Sequence, residues 1–214
     1  MKSVRMFYKK TGNLKFVSHL DMNRFMIRLI RMSQIPVWYS EGFNPHPYIT
    51  FALPLSLGFE SEYEVMDIRL DDDTYSCEDV LKNLNAVAPD EIKFIECLPV
   101  QMKAGSIASA DFCIEFSEVS ESIQHMLDAF LNSDVIATEK TTKKGAVKII
   151  DIKPMILDFK FTDQKLYLRL RAGGSENLNP KFLLDAFCEK NGMELPSYSV
   201  VRTMLYNENG DCFR

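Results

Sequence analysis

Short alternating apolar runs and amphipathic runs follow one another in the same order on both sides of residues 99–109. Before that stretch, Val4–Tyr8, Tyr48–Leu53, Tyr63–Leu70 and Ile92–Leu98 read as strands. Period two is clearest along Tyr63–Leu70, where Glu64, Met66, Ile68 and Leu70 share a mostly apolar face. Helical spacing runs from Ser18 to about Met32 and over Cys77–Ala88, each opened by a Ser that can accept from first-turn N–H groups. After the linker, strands are expected at Ala110–Phe116, Met155–Phe161, Lys165–Arg171 and Ser199–Tyr206. Helices are expected at Ser120–Leu131 and from Asn179-Pro180 through Glu189, the latter ended by Asn191-Gly192. Shorter strands are added at Leu14–Val17 and Val37–Tyr39, with a hairpin, Val135–Lys140 and Val147–Ile152, around Thr142-Lys143-Lys144-Gly145. Each half thus reads β-α-β-β-α-β, the ferredoxin-like order in which two helices cover one face of an antiparallel sheet. The expected fold is α+β, with tandem ferredoxin-like units over residues 1–100 and 108–214 and a single mixed α+β domain as the alternative. The halves share a pattern and negligible residue identity.

The charge is unevenly spread. Residues 1–50 carry eight Lys/Arg against two Asp/Glu, and residues 51–100 carry three against twelve. A basic segment is therefore hidden inside a total of −5. The acidic block can be a solvated surface, an internal partner of the basic segment, or a docking face. Five cysteines stand singly, with no CxxC and no Cys/His cluster, which argues against structural zinc, an iron–sulfur cluster or a disulfide framework. No cofactor and no metal is expected. No apolar run approaches the ~18 residues of a membrane span, and MKSVRMFYKK is too polar for a secretory signal. A cytoplasmic protein without membrane contact is expected.

The candidate working surface lies between Phe16 and Phe51. On the first helix, Ser18-His19-Leu20-Asp21 forms the start, and Arg24, Arg28 and Arg31 share a face at i, i+4 and i+7. Leu20, Phe25, Met26, Ile27, Leu29 and Ile30 are expected on the apolar side, and Pro36 ends the run. The Arg stripe is either a solvated face with Asp21 pairing Arg24, or a phosphate-tracking surface, since Arg forks match phosphate oxygens. The loop Tyr39-Ser40-Glu41-Gly42-Phe43-Asn44-Pro45-His46-Pro47 is stiff, because Asn44 and His46 each precede a proline. His46 is either a bystander in a rigid turn or a ligand contact on a loop held by scaffold. The residues chosen for binding are His19, Asp21, Arg24, Arg28, Tyr39, Ser40, Glu41, Gly42, Phe43, Asn44 and His46, with Lys143, Lys144 and Lys148 as a second basic patch.

At Phe16-Val17-Ser18-His19-Leu20-Asp21, Tyr39–Pro47 and Phe51-Ala52-Leu53-Pro54-Leu55, the chain resembles the bacterial radical-SAM-linked proteins, a domain of unknown function. The resemblance is strong over the first hundred residues and continues weakly through Lys144–Pro154 and Leu166–Arg171. It implies a protein that stands beside, or is fused to, a radical SAM protein with a cobalamin-binding-like region. The family pattern carries a basic residue after His-Pro, where this chain has Tyr48, so no role needing a cation there carries over. The chain lacks cluster-ligating cysteines and an Asp-x-His-x-x-Gly motif, so the resemblance makes it the accessory piece and not the radical enzyme.

Three functions follow. The first is a non-catalytic accessory module that binds RNA, or another substrate, for a radical SAM partner. Its cations and its aromatics Tyr39, Phe43 and Tyr48 are the equipment for tracking backbone and stacking single-stranded bases. The second is metal-independent RNA cleavage with His19 and His46 as acid and base, a chemistry that tandem ferredoxin-like CRISPR repeat-processing endoribonucleases carry out. A metal site from His19, Asp21, Glu41 and His46 is a chemical variant of it. The third is a protein–protein adaptor docking through Glu60–Asp79.

Overall fold

Each of the four helices among the described residues begins at a side chain that satisfies an otherwise orphaned N–H. Ser18, Ser76 and Ser120 accept from Asp21, Asp79 and Ile123, and Asn179 accepts from Lys181. They open α1 (His19–Ser33), α2 (Cys77–Val87), α3 (Glu121–Leu131) and α4 (Pro180–Asn191). The strands are β1 (Lys2–Lys10), β2 (Ile49–Phe51), β3 (Glu60–Leu70), β4 (Ile92–Pro99), β5 (Ile107–Phe116), β6 (Ala137–Thr141), β7 (Val147–Asp151), β8 (Ile156–Thr162), β9 (Lys165–Arg171) and β10 (Tyr198–Asn207). This is a computed structural model, and it describes residues 1–141, 145–174 and 176–214. The fold is α+β with mostly antiparallel pairing. No helix among the described residues is long and apolar enough to cross a membrane.

The chain divides into two compact units, Met1–Ile107 with Arg202–Arg214, and Ala108–Val201. In the first, β1 pairs antiparallel with β3, from Lys2↔Leu70 to Lys10↔Ser61, and with β4, from Val4↔Pro99 to Lys10↔Ile92. β2 pairs antiparallel with β3 at Ile49↔Ile68 to Phe51↔Met66. Val4, Met6 and Tyr8 of β1 meet Met22, Met26 and Ile30 of α1, Val80 and Leu84 of α2, and Met66 and Ile68 of β3 in one core. Removing that apolar area from water, at about 25 cal/mol per Å², is what holds the helices to the sheet. On the other face of β1, Arg5 and Phe7 are also buried. Phe7 packs on Tyr63 with ring centroids 5.2 Å apart, and the Arg5 guanidinium lies 4.3 Å from the Phe213 ring centroid.

That second face explains a difference from the expected boundaries. The final strand and tail were expected in a 108–214 unit, but Arg202–Arg214 group with the first unit. Arg5 clasps Asp67 at 2.7 and 2.8 Å and donates to the carbonyls of Met102 and Arg214 at 2.7 and 3.1 Å. Tyr63 donates its hydroxyl to the Phe213 carbonyl at 3.0 Å. Phe213 is wholly buried.

In the second unit β9 pairs antiparallel with β5, Ser109↔Arg171 to Glu115↔Lys165, and with β8. β10, whose residues up to Val201 belong to this unit, follows β5 on the other side, giving the order β10-β5-β9-β8. The β6–β7 hairpin forms a separate two-stranded sheet. Phe130 of α3 and Phe187 of α4 meet edge to face at 5.4 Å.

Two expected strands are absent as such. Leu14–Val17 falls mostly in a 3-10 turn, Gly12–Phe16, where Gly12 takes a left-handed φ of 61° and Val17 donates back to Leu14. Val37–Tyr39 contributes only isolated bridges, Val37↔Leu70 and Tyr39↔Pro47, because the neighbouring prolines remove ladder donors.

Candidate functional site

The candidate residues on α1 and the following loop all lie in the first unit. Ser18 both caps α1, accepting from the Asp21 N–H at 3.2 Å, and donates to the Asp21 carboxylate at 2.8 Å. The other Asp21 oxygen accepts from Arg24 at 3.1 Å. Met22, Met26, Leu29, Ile30 and Ser33 form the buried face of α1. Leu20, expected inward, is 62% exposed, since it sits about 200° around the helix from Met22. Arg24, Arg28 and Arg31 are all exposed.

The loop is braced by its own backbone. Ser40 donates its N–H to the His46 carbonyl at 2.9 Å, and its hydroxyl accepts from the His46 N–H at 3.2 Å. His46 Nδ1 lies 3.0 Å from that hydroxyl and 3.2 Å from the Asn44 carbonyl. A carbonyl only accepts, so this geometry suits the Nδ1–H tautomer and leaves Nε2 as an acceptor. Gly42 has φ of 122°, a conformation that side chains strain to adopt. Next to it Phe43 is fully exposed, and Glu41, Asn44 and His46 are exposed with it.

Behind the loop, Trp38 donates to the Arg69 carbonyl at 2.8 Å, and Arg69 donates to the Tyr48 carbonyl at 3.3 Å. This threads Arg69 of β3 between two rings, 5.2 Å from Trp38 and 4.5 Å from Tyr48. Arg69 was no sequence candidate; only the pairing of the 37–48 segment with β3 brings it to the aromatics.

A small cavity of about 10 Å³ opens where β1, α1 and β3 meet. Tyr8, Lys10, His19 and Glu64 supply its polar lining, and Phe51, Pro54 and Leu55 its apolar one. The His19 ring stands edge-on to Phe51 with centroids 5.1 Å apart. Behind Glu64 lies Arg202, whose Nε and a terminal nitrogen donate to one Glu64 oxygen at 3.1 and 2.5 Å. Another bond from Arg202 reaches the Leu53 carbonyl at 2.8 Å. Burial lowers the Lys10 pKa from the ordinary 10.5; Glu64 opposes that shift and Arg202 adds to it. Burial also raises the Tyr8 hydroxyl well above 10.0, so it stays protonated and able to donate.

Residues 3–180 match the model of a protein family described as "Uncharacterized protein conserved in bacteria (DUF2344)". The chain belongs to this family. No curated protein matches it.

In this DUF2344 chain five of the sequence-chosen residues fall in two local sets: Asp21 and Arg24 join the cap residue Ser18, and Ser40, Asn44 and His46 meet in the loop. Among the described residues no hydrogen bond, ion pair or ring contact joins His19 to His46. Nor do three or more His, Cys, Asp or Glu come together as metal donors, so His19, Asp21, Glu41 and His46 do not form the set considered from sequence. Lys148 lies exposed on β7 directly opposite Lys140; Lys143 and Lys144 lie outside the described residues.

The basic segment and the acidic block partly neutralise each other. Arg5, Lys9 and Lys15 face Asp67, Glu62 and Glu60 of β3 at 2.7, 4.0 and 3.0 Å. The acidic block was one candidate partner of the basic segment from sequence, but only the β1–β3 pairing and the 3-10 turn that follows β1 show which residues meet. Lys10, Glu64 and Arg202 escaped the sequence reading for the same reason.

Proposed function

We propose that this protein is a non-catalytic binding module that holds RNA for a partner enzyme, the partner being a radical SAM protein as the resemblance over residues 16–55 implies. The open face of α1 carries this reading. Arg24, Arg28 and Arg31 are exposed together, and among the described residues no hydrogen bond or ion pair engages Arg28 or Arg31. Guanidinium forks free of carboxylates are suited to phosphate oxygens. The loop adds aromatic surface. Phe43 is fully exposed on a backbone stiffened by Pro45 and Pro47, with Tyr39 and Tyr48 38% and 45% exposed beside it. Unpaired bases stack on such faces at small ordering cost.

A ferredoxin-like reading of both units accompanies this proposal. In the first, the antiparallel order β4-β1-β3-β2 with α1 and α2 as crossovers supports it. In the second, the order β10-β5-β9-β8 supports it, with β6–β7 as an insertion between α3 and β8. A cytoplasmic location fits an RNA ligand.

The test is a binding titration of the purified protein against total cellular RNA at low and raised salt. Arg24→Ala/Arg28→Ala should weaken binding at least about tenfold, as loss of charge-assisted bonds does. It should also flatten the salt slope by about 1.4, at about 0.7 per lost single-strand contact. Absence of binding at low salt rejects the RNA reading and moves the search to a protein substrate. Shortening of the RNA that His46→Ala abolishes replaces it with the nuclease reading.

A further inference from the structure

We propose that the cavity between β1, α1 and β3 is a binding site for an oxyanion, with one oxygen of a phosphate or carboxylate group entering beside Lys10. The first support is the state of that lysine. Lys10 is 3% exposed, yet among the described residues its ammonium has no hydrogen bond and no carboxylate oxygen within 4.0 Å. No sealed side-chain nitrogen or oxygen among them goes without a hydrogen bond. The unpartnered ammonium is therefore not sealed, and the cavity it lines is what it faces. The same holds for the Tyr8 hydroxyl, 1% exposed in residue terms and without a protein partner. A buried cation with no partner is unfavourable unless something else pairs with it.

Charge gives the sign of the ligand. Arg202 and Lys10 place two positive charges against the single carboxylate of Glu64, and Arg202 holds one Glu64 oxygen with two of its nitrogens. One negative charge restores balance. The cavity, about 10 Å³, has room for a single water-sized oxygen. An oxygen there accepts from Lys10 and Tyr8 together. The site opens at His19, the first residue of α1, so the positive end of that 15-residue helix adds to the field. Phe51, Pro54 and Leu55 exclude water from the same wall and strengthen each of these interactions. The site is independent of the arginine face proposed for RNA.

Thermal unfolding of the full chain tests it, with inorganic phosphate and acetate as probes and ionic strength held constant with chloride. The unfolding midpoint of the wild type should rise with probe concentration as a bound ligand requires. Lys10→Met should weaken the apparent affinity about tenfold or more, and Tyr8→Phe severalfold, as lost hydrogen bonds to a charged group do. Arg24→Ala/Arg28→Ala should leave it unchanged. Response to phosphate alone assigns a phosphate ligand, and response to acetate alone a carboxylate one. A shift of equal size in wild type and Lys10→Met is the general effect of excluded salts, and it overturns the proposal, as does no shift at all. Loss of the shift in the Arg24/Arg28 variant places the anion on α1 and overturns it equally. Should Lys10→Met fail to fold, Lys10→Gln and Tyr8→Phe decide.

Discussion

Lys10 opposes the fold that contains it. Its lowered pKa means that the unfolded chain holds this proton more tightly than the native one. The penalty is complete at pH values below the native pKa and disappears as pH climbs from there towards 10.5. Lys10→Met is therefore expected to raise the unfolding free energy at pH 7, with the gain shrinking as pH approaches 10.5. Urea melts of both proteins at pH 7 and pH 10 check this, and the charged groups around the residue, Glu64 and Arg202, are kept in both. Arg202 is the opposite case. Its side chain and that of Glu64 are 2% and 5% exposed, so each is the other's replacement for water. Arg202→Ala strips a buried carboxylate of both its guanidinium hydrogen bonds and is expected to destabilise by about 3–5 kcal/mol in urea melts. Neither residue was legible beforehand. Lys10, Glu64 and Arg202 come from three distant parts of the chain, and single-sequence periodicity says nothing about which strands are neighbours.

At the scale of elements, local chemistry was readable and tertiary rotation was not. The caps at Ser18, Ser76, Ser120 and Asn179 act within a turn of themselves, so their helices begin where the sequence placed them. Gly192 closes α4 in a left-handed conformation for the same reason. The side of α1 that faces the core depends on β1 and β3, and Leu20 ended outside. α1 itself closes on Gln34, a non-glycine residue with φ of 57°. Gln34→Gly is expected to stabilise by about 0.5–1 kcal/mol, since the left-handed position costs an L side chain roughly that much or more. A rise in the urea midpoint with an unchanged m value is the sign to look for. In the loop, Pro45 and Pro47 were legible as local constraints on the backbone. The Ser40–His46 clasp that completes them needed the two ends of the loop to be seen side by side.

For the whole molecule, the α+β class was legible because it follows from the kinds of element the sequence pattern marks out. The return of the tail was not, since Phe213 carries no mark of which core it enters. Truncation after Val201 is expected to strip the Arg202–Glu64 pair, the Phe213 plug and the Tyr63 hydrogen bond from the first unit in one step. Amide exchange should then quicken in β1 and β3, while β8 and β9 keep their protection. The same arrangement has a consequence for synthesis. On a ribosome, all of residues 108–201 emerge before the residues that finish the first unit. The early-made half therefore waits, with Arg5 and Tyr63 lacking their contacts to Phe213, until the late-made half has already had time to settle. That makes the interval before the last residues appear the period in which a chaperone, or a partner protein bound to the nascent chain, has most to protect.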